Sequence, residues 1–425
     1  MARVLAYTTP SRGHLFPLTP ILDELHRRGH AVSVRTLASQ IDLMRGRGFA
    51  AAAISAQIEE IELDDWRARN PQQALAAAVR GFCARAEFDA ADLRDAIRDE
   101  QPDAVLVDIN AWGALAAAEQ WGGSWATFCP YPLALRSPQA PPFGPGLAPA
   151  RGPLGRVRDV VARPLVLGTI AKKMLPPLNG VRTGLGLPAL ENVDDLFRRP
   201  PLLIYMTAEP FEYHRTDWPD NIVMVGPCAW EPAGESPPWL TDIDGPVVLV
   251  TTSSEFQDDG RLVTVALDAL ADLPFHVVAT LPAGDPSGYD LPANAHVERF
   301  CAHGPILDRA ACAVTHGGMG VTQKALARGV PVCAVPFGRD QLEVARRVEV
   351  AGAGTRLPAR RLTPDRLRAK VLQAIGMADG AARVAAGFSA AGGPGAAATA
   401  IENRLLTVSS QPATGRTLPN SAETP

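Results

Sequence analysis

The chain has 425 residues, enough for two domains at the usual ~100–200 residues each. Its 41 basic and 45 acidic residues leave a formal charge of −4, which excludes the strongly basic face that phosphate-driven nucleic-acid binding requires. With 47% hydrophobic and 20% charged residues it can bury a large core, and its apolar runs, such as 246–250, fall far short of the ~18 residues of a membrane span.

The elements alternate between apolar strand, polar or glycine turn, and helix. Residues 3–7 read as a buried strand that meets Thr8-Thr9-Pro10 too soon to supply a secretory leader. Leu18, Ile21, Leu22 and Leu25 then recur on one helical face, and Arg27-Arg28-Gly29-His30 stops the helix. A strand at 31–35 completes a βαβ unit, which implies a parallel sheet covered on both faces. A strand at 104–107 and a helix at 113–120 follow. The stretch 137–155, dense in Pro and Gly, reads as a lid or binding loop, and the segments around 60–90 and 130–190 carry no motif with a mechanism. A second Pro-rich stretch marks a linker at 226–240.

The pattern then restarts, with strands at 247–250, 276–280, 312–315 and 330–335 and helices at 263–270 and 322–328. The sequence therefore predicts an α/β fold of two Rossmann-like βαβ domains, 1–225 and 241–408, followed by a disordered tail at 409–425. All seven tryptophans (66, 112, 121, 125, 218, 230, 239) precede residue 240, which favours the first half as host for a large apolar ligand; core packing is the plainer account. The six cysteines (83, 129, 228, 301, 312, 333) form no CxxC pair and read as buried thiols of a cytoplasmic protein.

The strongest local signal is Val314-Thr315-His316-Gly317-Gly318-Met319-Gly320. A strand ends, glycines turn the chain, and a helix begins, whose unpaired N–H groups carry partial positive charge. Glycines let a phosphate approach those groups, and His316 adds a donor; a turn that merely needs positive φ is the competing account. One strand later, Phe337-Gly338-Arg339-Asp340-Gln341 sets an acid beside an amide at the carboxyl edge of a parallel strand. Open α/β sheets bind ligands at that edge, and the pair suits polyol hydroxyls, although an N-cap by Asp340 explains it equally well.

Together these stretches resemble the nucleotide-sugar signature of the family 1 glycosyltransferases, the GT-B enzymes that include bacterial antibiotic glycosyltransferases and plant and animal UDP-glycosyltransferases. Upstream, Arg299-Phe300-Cys301-Ala302-His303 is similar to the family's base-clamping segment, and Val248 to Ser254 to its first C-terminal strand and serine loop. Gly13-His14-Leu15-Phe16-Pro17 matches its Gly-His-x-x-Pro turn. The likeness runs to about residue 405 and is nearer the bacterial natural-product branch.

This resemblance implies a GT-B fold with a central cleft, His14 as general base, and Asp108 as the carboxylate that orients it. It implies a diphosphate site at His316, Gly317, Gly318, Met319 and Gly320 with Ser253 and Ser254, base stacking by Phe300 beside Cys301, and donor-sugar contacts from Asp340 and Gln341. The implied reaction is inverting, metal-independent transfer from a dTDP- or UDP-sugar to a hydroxyl of a hydrophobic natural-product acceptor. No cofactor beyond the nucleotide-sugar is implied, and a homodimer stays open. A sugar-nucleotide epimerase and a non-enzymatic helper of the same architecture are the alternatives.

Two positions depart from the family: Lys324 stands where plant members carry a ribose-binding glutamate, which favours a thymidine nucleotide, and His303 replaces a glutamine. Asp242-Ile243-Asp244 has the form of a metal-binding Asp-x-Asp but abuts the linker and reads as a solvated turn. Asp64-Asp65, Asp194-Asp195 and Asp258-Asp259 read as exposed faces or caps, and Arg346-Arg347 and Arg360-Arg361 as surface charges.

Overall fold

A computed structural model describes residues 1–232 and 237–407. The expected tail at 409–425 lies outside the described residues, as does part of the expected linker. Thirteen strands are described: β1 Arg3–Tyr7, β2 Ala31–Thr36, β3 Ala50–Ala53, β4 Ala104–Asp108, β5 Ser124–Cys129, β6 Leu203–Tyr205, β7 Ile222–Met224, β8 Val247–Thr251, β9 His276–Thr280, β10 Ala295–Glu298, β11 Ala310–Thr315, β12 Val332–Ala334 and β13 Gly354–Arg356. They form two parallel sheets, ordered β3-β2-β1-β4-β5-β6-β7 and β10-β9-β8-β11-β12-β13.

Every residue of β4 and β8 is buried, as strands covered by helices on both faces must be. In each sheet the strand order reverses between the two central strands, β1 and β4 in one, β8 and β11 in the other. Crossovers leave to opposite faces there, and a crevice opens beyond the carboxyl ends of those strands. His14 follows β1, Asp108 ends β4, Ser253 follows β8 and His316 follows β11.

The helix Arg12–Arg27 buries Leu15, Leu18, Ile21, Leu22 and Leu25 completely, the face that the spacing predicts. Each such side chain contributes roughly 1.5–3 kcal/mol, which holds the first turn of this helix, and His14 with it, against the sheet.

Two long helices, Pro71–Glu100 and Gly152–Gly184, occupy segments that the sequence presents as motif-free or loop-like. The first is alanine-rich, so its apolar stripe has little contrast, although Asn70 accepts from the Gln73 N–H at 2.9 Å and Pro71 opens it. The second contains Pro164, Pro176 and Pro177, which read as breakers. Pro164 and Pro176 lie on its exposed side, where a helix tolerates a carbonyl that has lost its N–H partner because solvent can replace it. The helix Gly393–Ile401 crosses back to the first sheet and buries Ala397, Ala398 and Ile401 in its core.

Candidate active site

β1 ends at Tyr7, and the turn that follows delivers His14 into the first turn of the helix Arg12–Arg27. β4 pairs directly with β1, so Asp108 at its end arrives beside that turn. His14 Nδ1 lies 2.9 Å from both Asp108 oxygens. Asp108 is fully buried and also accepts from Thr9 N–H at 3.1 Å, Thr9 Oγ1 at 2.7 Å and Asn110 N–H at 2.9 Å. A carboxylate can only accept, so Nδ1 carries the hydrogen and Nε2 is the basic nitrogen.

Burial alone would pull the His14 pKa down. The Asp108 charge and hydrogen bond, helped by Glu255 and Asp340, outweigh it and raise the value above that of free imidazole. Burial pushes Asp108 up in turn, but His14 and the three other donors hold it below the usual carboxylate range.

On the second lobe, β11 ends at Thr315 and the helix Met319–Leu326 starts four residues later, with Gly318 as its N-cap. Gly317 has φ +86° and Gly318 lies under the imidazole: an added Cβ there would stand 2.3 Å from His316 Nε2. His316 is buried, its Nδ1 has no hydrogen-bond partner, and burial lowers its pKa, so the ring stays neutral. A buried ring nitrogen beside the N–H groups of a helix start is an arrangement that can receive an anion.

Ser253 N–H donates to Asp259 at 2.7 Å, and Ser253 Oγ accepts from Gln257 Nε2 at 2.8 Å, which shapes the loop after β8 and leaves Ser254 exposed. Gln341 accepts from the N–H groups of Phe337 and Gly338 at 2.7 and 2.9 Å and donates to Gln257 at 2.6 Å. Its oxygen is thus committed to the turn, while Gln341 also lines the cavity. Asp340 makes no side-chain cap bond, so the N-cap account fails; burial pushes its carboxyl up.

His14, Ser253, Ser254, His316, Gly318, Met319, Gly320, Asp340 and Gln341 line one cavity of about 1560 Å³ between the two lobes. Asp108 and Gly317 act from behind it. Phe300 is 57% exposed on its wall, with Cys301 buried beside it. The first-lobe wall has an apolar part, built by Leu75, Phe82, Val166, Ile170 and Met174, beside charged residues that include Arg12, Glu59, Glu62 and Arg85. Trp66 and Trp230 also line it, whereas Trp112 and Trp125 are core residues.

Several charged residues have roles that the sequence left unread. Asp65 is not an exposed charge: it is buried and receives Arg339 Nε and Nη2 at 2.8 and 2.9 Å. Arg339 Nη1 reaches Glu255 at 2.7 Å, and Glu255 accepts from Ser11 Oγ at 2.7 Å, so the two lobes are tied across the cavity. Arg339 adopts φ +50°, uncommon for a side chain this large. Asp194 and Asp259 are buried too, bonded to Arg136 and to the Ser253 N–H. Arg347 is buried among Glu212 and Glu343 rather than on the surface.

Glu231 pairs with Lys324 at 2.7 Å and accepts from the N–H groups of His303 and Gly304 at 3.0 and 2.7 Å. Its sequence context, a proline-rich stretch, carries no signal for that role. His303 bonds Thr280 Oγ1 at 3.0 Å; burial, with Lys324 nearby, lowers its pKa to about 4. Asp242 and Asp244 are exposed around buried Ile243, as a solvated turn should be. Among the described residues no group of three or more His, Cys, Asp and Glu is placed to hold a metal.

Comparison with known proteins gives a consistent picture. Residues 264–404 match the family described as Erythromycin biosynthesis protein CIII-like, C-terminal domain. The chain is 31% identical over 393 residues to 4'-demethylrebeccamycin synthase of Lentzea aerocolonigenes, covering 87% of this chain and 91% of that protein. It is 26% identical over 426 residues to demethyllactenocin mycarosyltransferase of Streptomyces fradiae, covering 95% and 87%. Among solved structures, the glycotransferase of kitacinnamycin superposes with a TM-score of 0.71 at 23% identity, over 95% of this chain and 99% of that one. The glycosyltransferase VinC in complex with dTDP superposes at 0.67 with 20% identity, over 95% and 100%.

Proposed function

Because the chain belongs to the antibiotic-pathway glycosyltransferases and has their GT-B fold, we propose that it transfers a sugar, with inversion and without a metal, from a dTDP-sugar to a hydroxyl of a hydrophobic natural-product acceptor. The observation that carries this reading is that His14, held from behind by Asp108, lines the same cavity as the His316 glycine turn.

The acceptor lies against the apolar part of the first-lobe wall, at Leu75, Phe82, Ile170 and Met174. His14 Nε2 takes its hydroxyl proton as the oxygen attacks the anomeric carbon, and Asp108 stabilises the imidazolium that forms. The bond from that carbon to the diphosphate oxygen breaks on the opposite face, and its electron pair leaves with the nucleotide. The N–H groups at Met319 and Gly320 and the His316 ring meet the growing negative charge. Asp340 accepts hydroxyls of the donor sugar, and Phe300 stacks on the base. Residues 1–225 thus serve the acceptor and 241–408 the donor, joined through 226–240.

Lys324 and Glu231 neutralise each other where a ribose diol would otherwise be received, which favours a deoxyribose donor. The neighbour solved with dTDP supports the same choice. The test is calorimetric titration with dTDP and UDP, followed by transfer assays. We expect dTDP to bind tighter than UDP, and the product glycoside to have the anomeric configuration opposite to the donor. Gly318→Ala displaces the His316 ring and weakens dTDP binding ~10–100-fold, the worth of one hydrogen bond to a charged group. Equal affinity for UDP overturns the donor choice; no binding of either nucleotide overturns the site.

A further inference from the structure

The helix Gly152–Gly184 has a second exposed side with its own chemistry. While Val166, Ile170 and Met174 line the cavity, Leu154, Val157, Val160, Val161 and Leu165 are 87%, 60%, 65%, 59% and 68% exposed. Spacings of three and four residues set these five on one stripe. Among the described residues ten large hydrophobics are exposed, and half of them fall in this one short stretch. Single exposed apolar residues are ordinary, but a contiguous stripe marks an interaction site.

Arg151 and Arg156 stand at one end of the stripe and Lys172 and Lys173 at the other, all exposed and none with an ion-pair partner among the described residues. The helix has one acid, Asp159, which is buried against Arg158. In a chain of net charge −4 this is a local reversal of sign.

We infer that this face rests on an anionic phospholipid surface, with the stripe at the headgroup–acyl boundary and the four cations on headgroup phosphates. Interfacial helices have this composition: an apolar stripe flanked by Lys and Arg. A second copy of the chain fits poorly, since antiparallel pairing about a two-fold axis sets Arg151 and Arg156 of one helix against Lys172 and Lys173 of the other with no carboxylate between them. The contact is peripheral: among the described residues no helix is long and apolar enough to cross a membrane. Leu165 belongs both to the stripe and to the cavity wall, so apolar surface runs unbroken from the lipid to the acceptor site. The purpose, uptake of a lipid-dissolved acceptor, rests on the proposed function; the contact itself does not.

The test is cosedimentation of the full chain with vesicles of phosphatidylcholine alone or mixed with phosphatidylglycerol, which needs no turnover. Binding to the anionic vesicles should be at least ~tenfold tighter and weaken with salt. The Val157→Glu, Val161→Glu double variant should lose that preference, and the Lys172→Glu, Lys173→Glu variant likewise. Both variants place a good helix former at exposed positions, so the thermal midpoint and transfer to a water-soluble acceptor should not change. Equal binding of the wild type to both vesicle types overturns the proposal. So does a wild-type dimer that Val157→Glu, Val161→Glu converts to monomer in sedimentation velocity.

Discussion

His14→Ala should lower kcat/KM for sugar transfer by ~10²–10⁴, the usual worth of a general base, while leaving nucleotide affinity within about twofold. The separation of the two effects follows from the fold: His14 comes from the first sheet and the nucleotide cradle from the second. The pH dependence sharpens the test. The base works only when neutral, so activity falls as pH falls through the His14 pKa. Asp108 raises that pKa, so the acid limb of kcat/KM should lie above the ~6.5 of free imidazole. Asp108→Asn removes the charge that raises it, so the limb should move to lower pH. The plateau should fall as well, because the carboxylate no longer holds Nδ1 protonated or stabilises the imidazolium. An unmoved limb in Asp108→Asn, or transfer by His14→Ala within threefold of wild type, defeats the assignment.

Arg347→Met should destabilise the fold by ~3–5 kcal/mol, since breaking a buried pair leaves uncompensated charge. Arg347 donates to Glu212 at 2.8 Å and to Glu343 at 3.0 Å, and its guanidinium lies 4.3 Å from the Tyr213 ring. Glu212 also bonds Tyr205 of β6, and Glu343 accepts from the N–H groups of Gly144 and Gly146 at 2.7 and 2.8 Å. One cation therefore joins the first sheet, the Pro/Gly loop and the helix Gln341–Val350, which begins just after Asp340. Unfolding in denaturant measures the loss. Adding Glu212→Gln should recover part of it, by removing one of the two orphaned carboxylates. A loss below ~1 kcal/mol, the range of an exposed pair, would show that the network does not hold the lobes together.

How much was legible follows the range of each interaction. The βαβ alternation, the apolar face at Leu18, Ile21, Leu22 and Leu25, the glycine turn after Thr315 and the histidine turn after Tyr7 are written in neighbouring residues, because strand burial, helix period and positive φ are local demands. Helices at 71–100 and 152–184 were illegible, one because alanine gives a stripe without contrast, the other because its prolines imitate breaks. Asp65 and Arg347 looked like surface charges, and Glu231 carried no signal, for a different reason: the pairs Asp65–Arg339, Glu231–Lys324 and Arg347–Glu212 each span more than ninety residues.

By itself the sequence determined two parallel-sheet units, the turns that end their central strands, and the residue types available for proton transfer and phosphate binding. The family resemblance pairs Asp108 with His14, and the tertiary structure supplies the reason, β1 and β4 side by side; it alone decided that Arg339 ties Asp65 to Glu255 across the gap. Local periodicity reports which side chains must leave water; which buried charge finds which partner depends on how the chain returns to itself, because an ion leaves water at tolerable cost only when its counter-ion is already there.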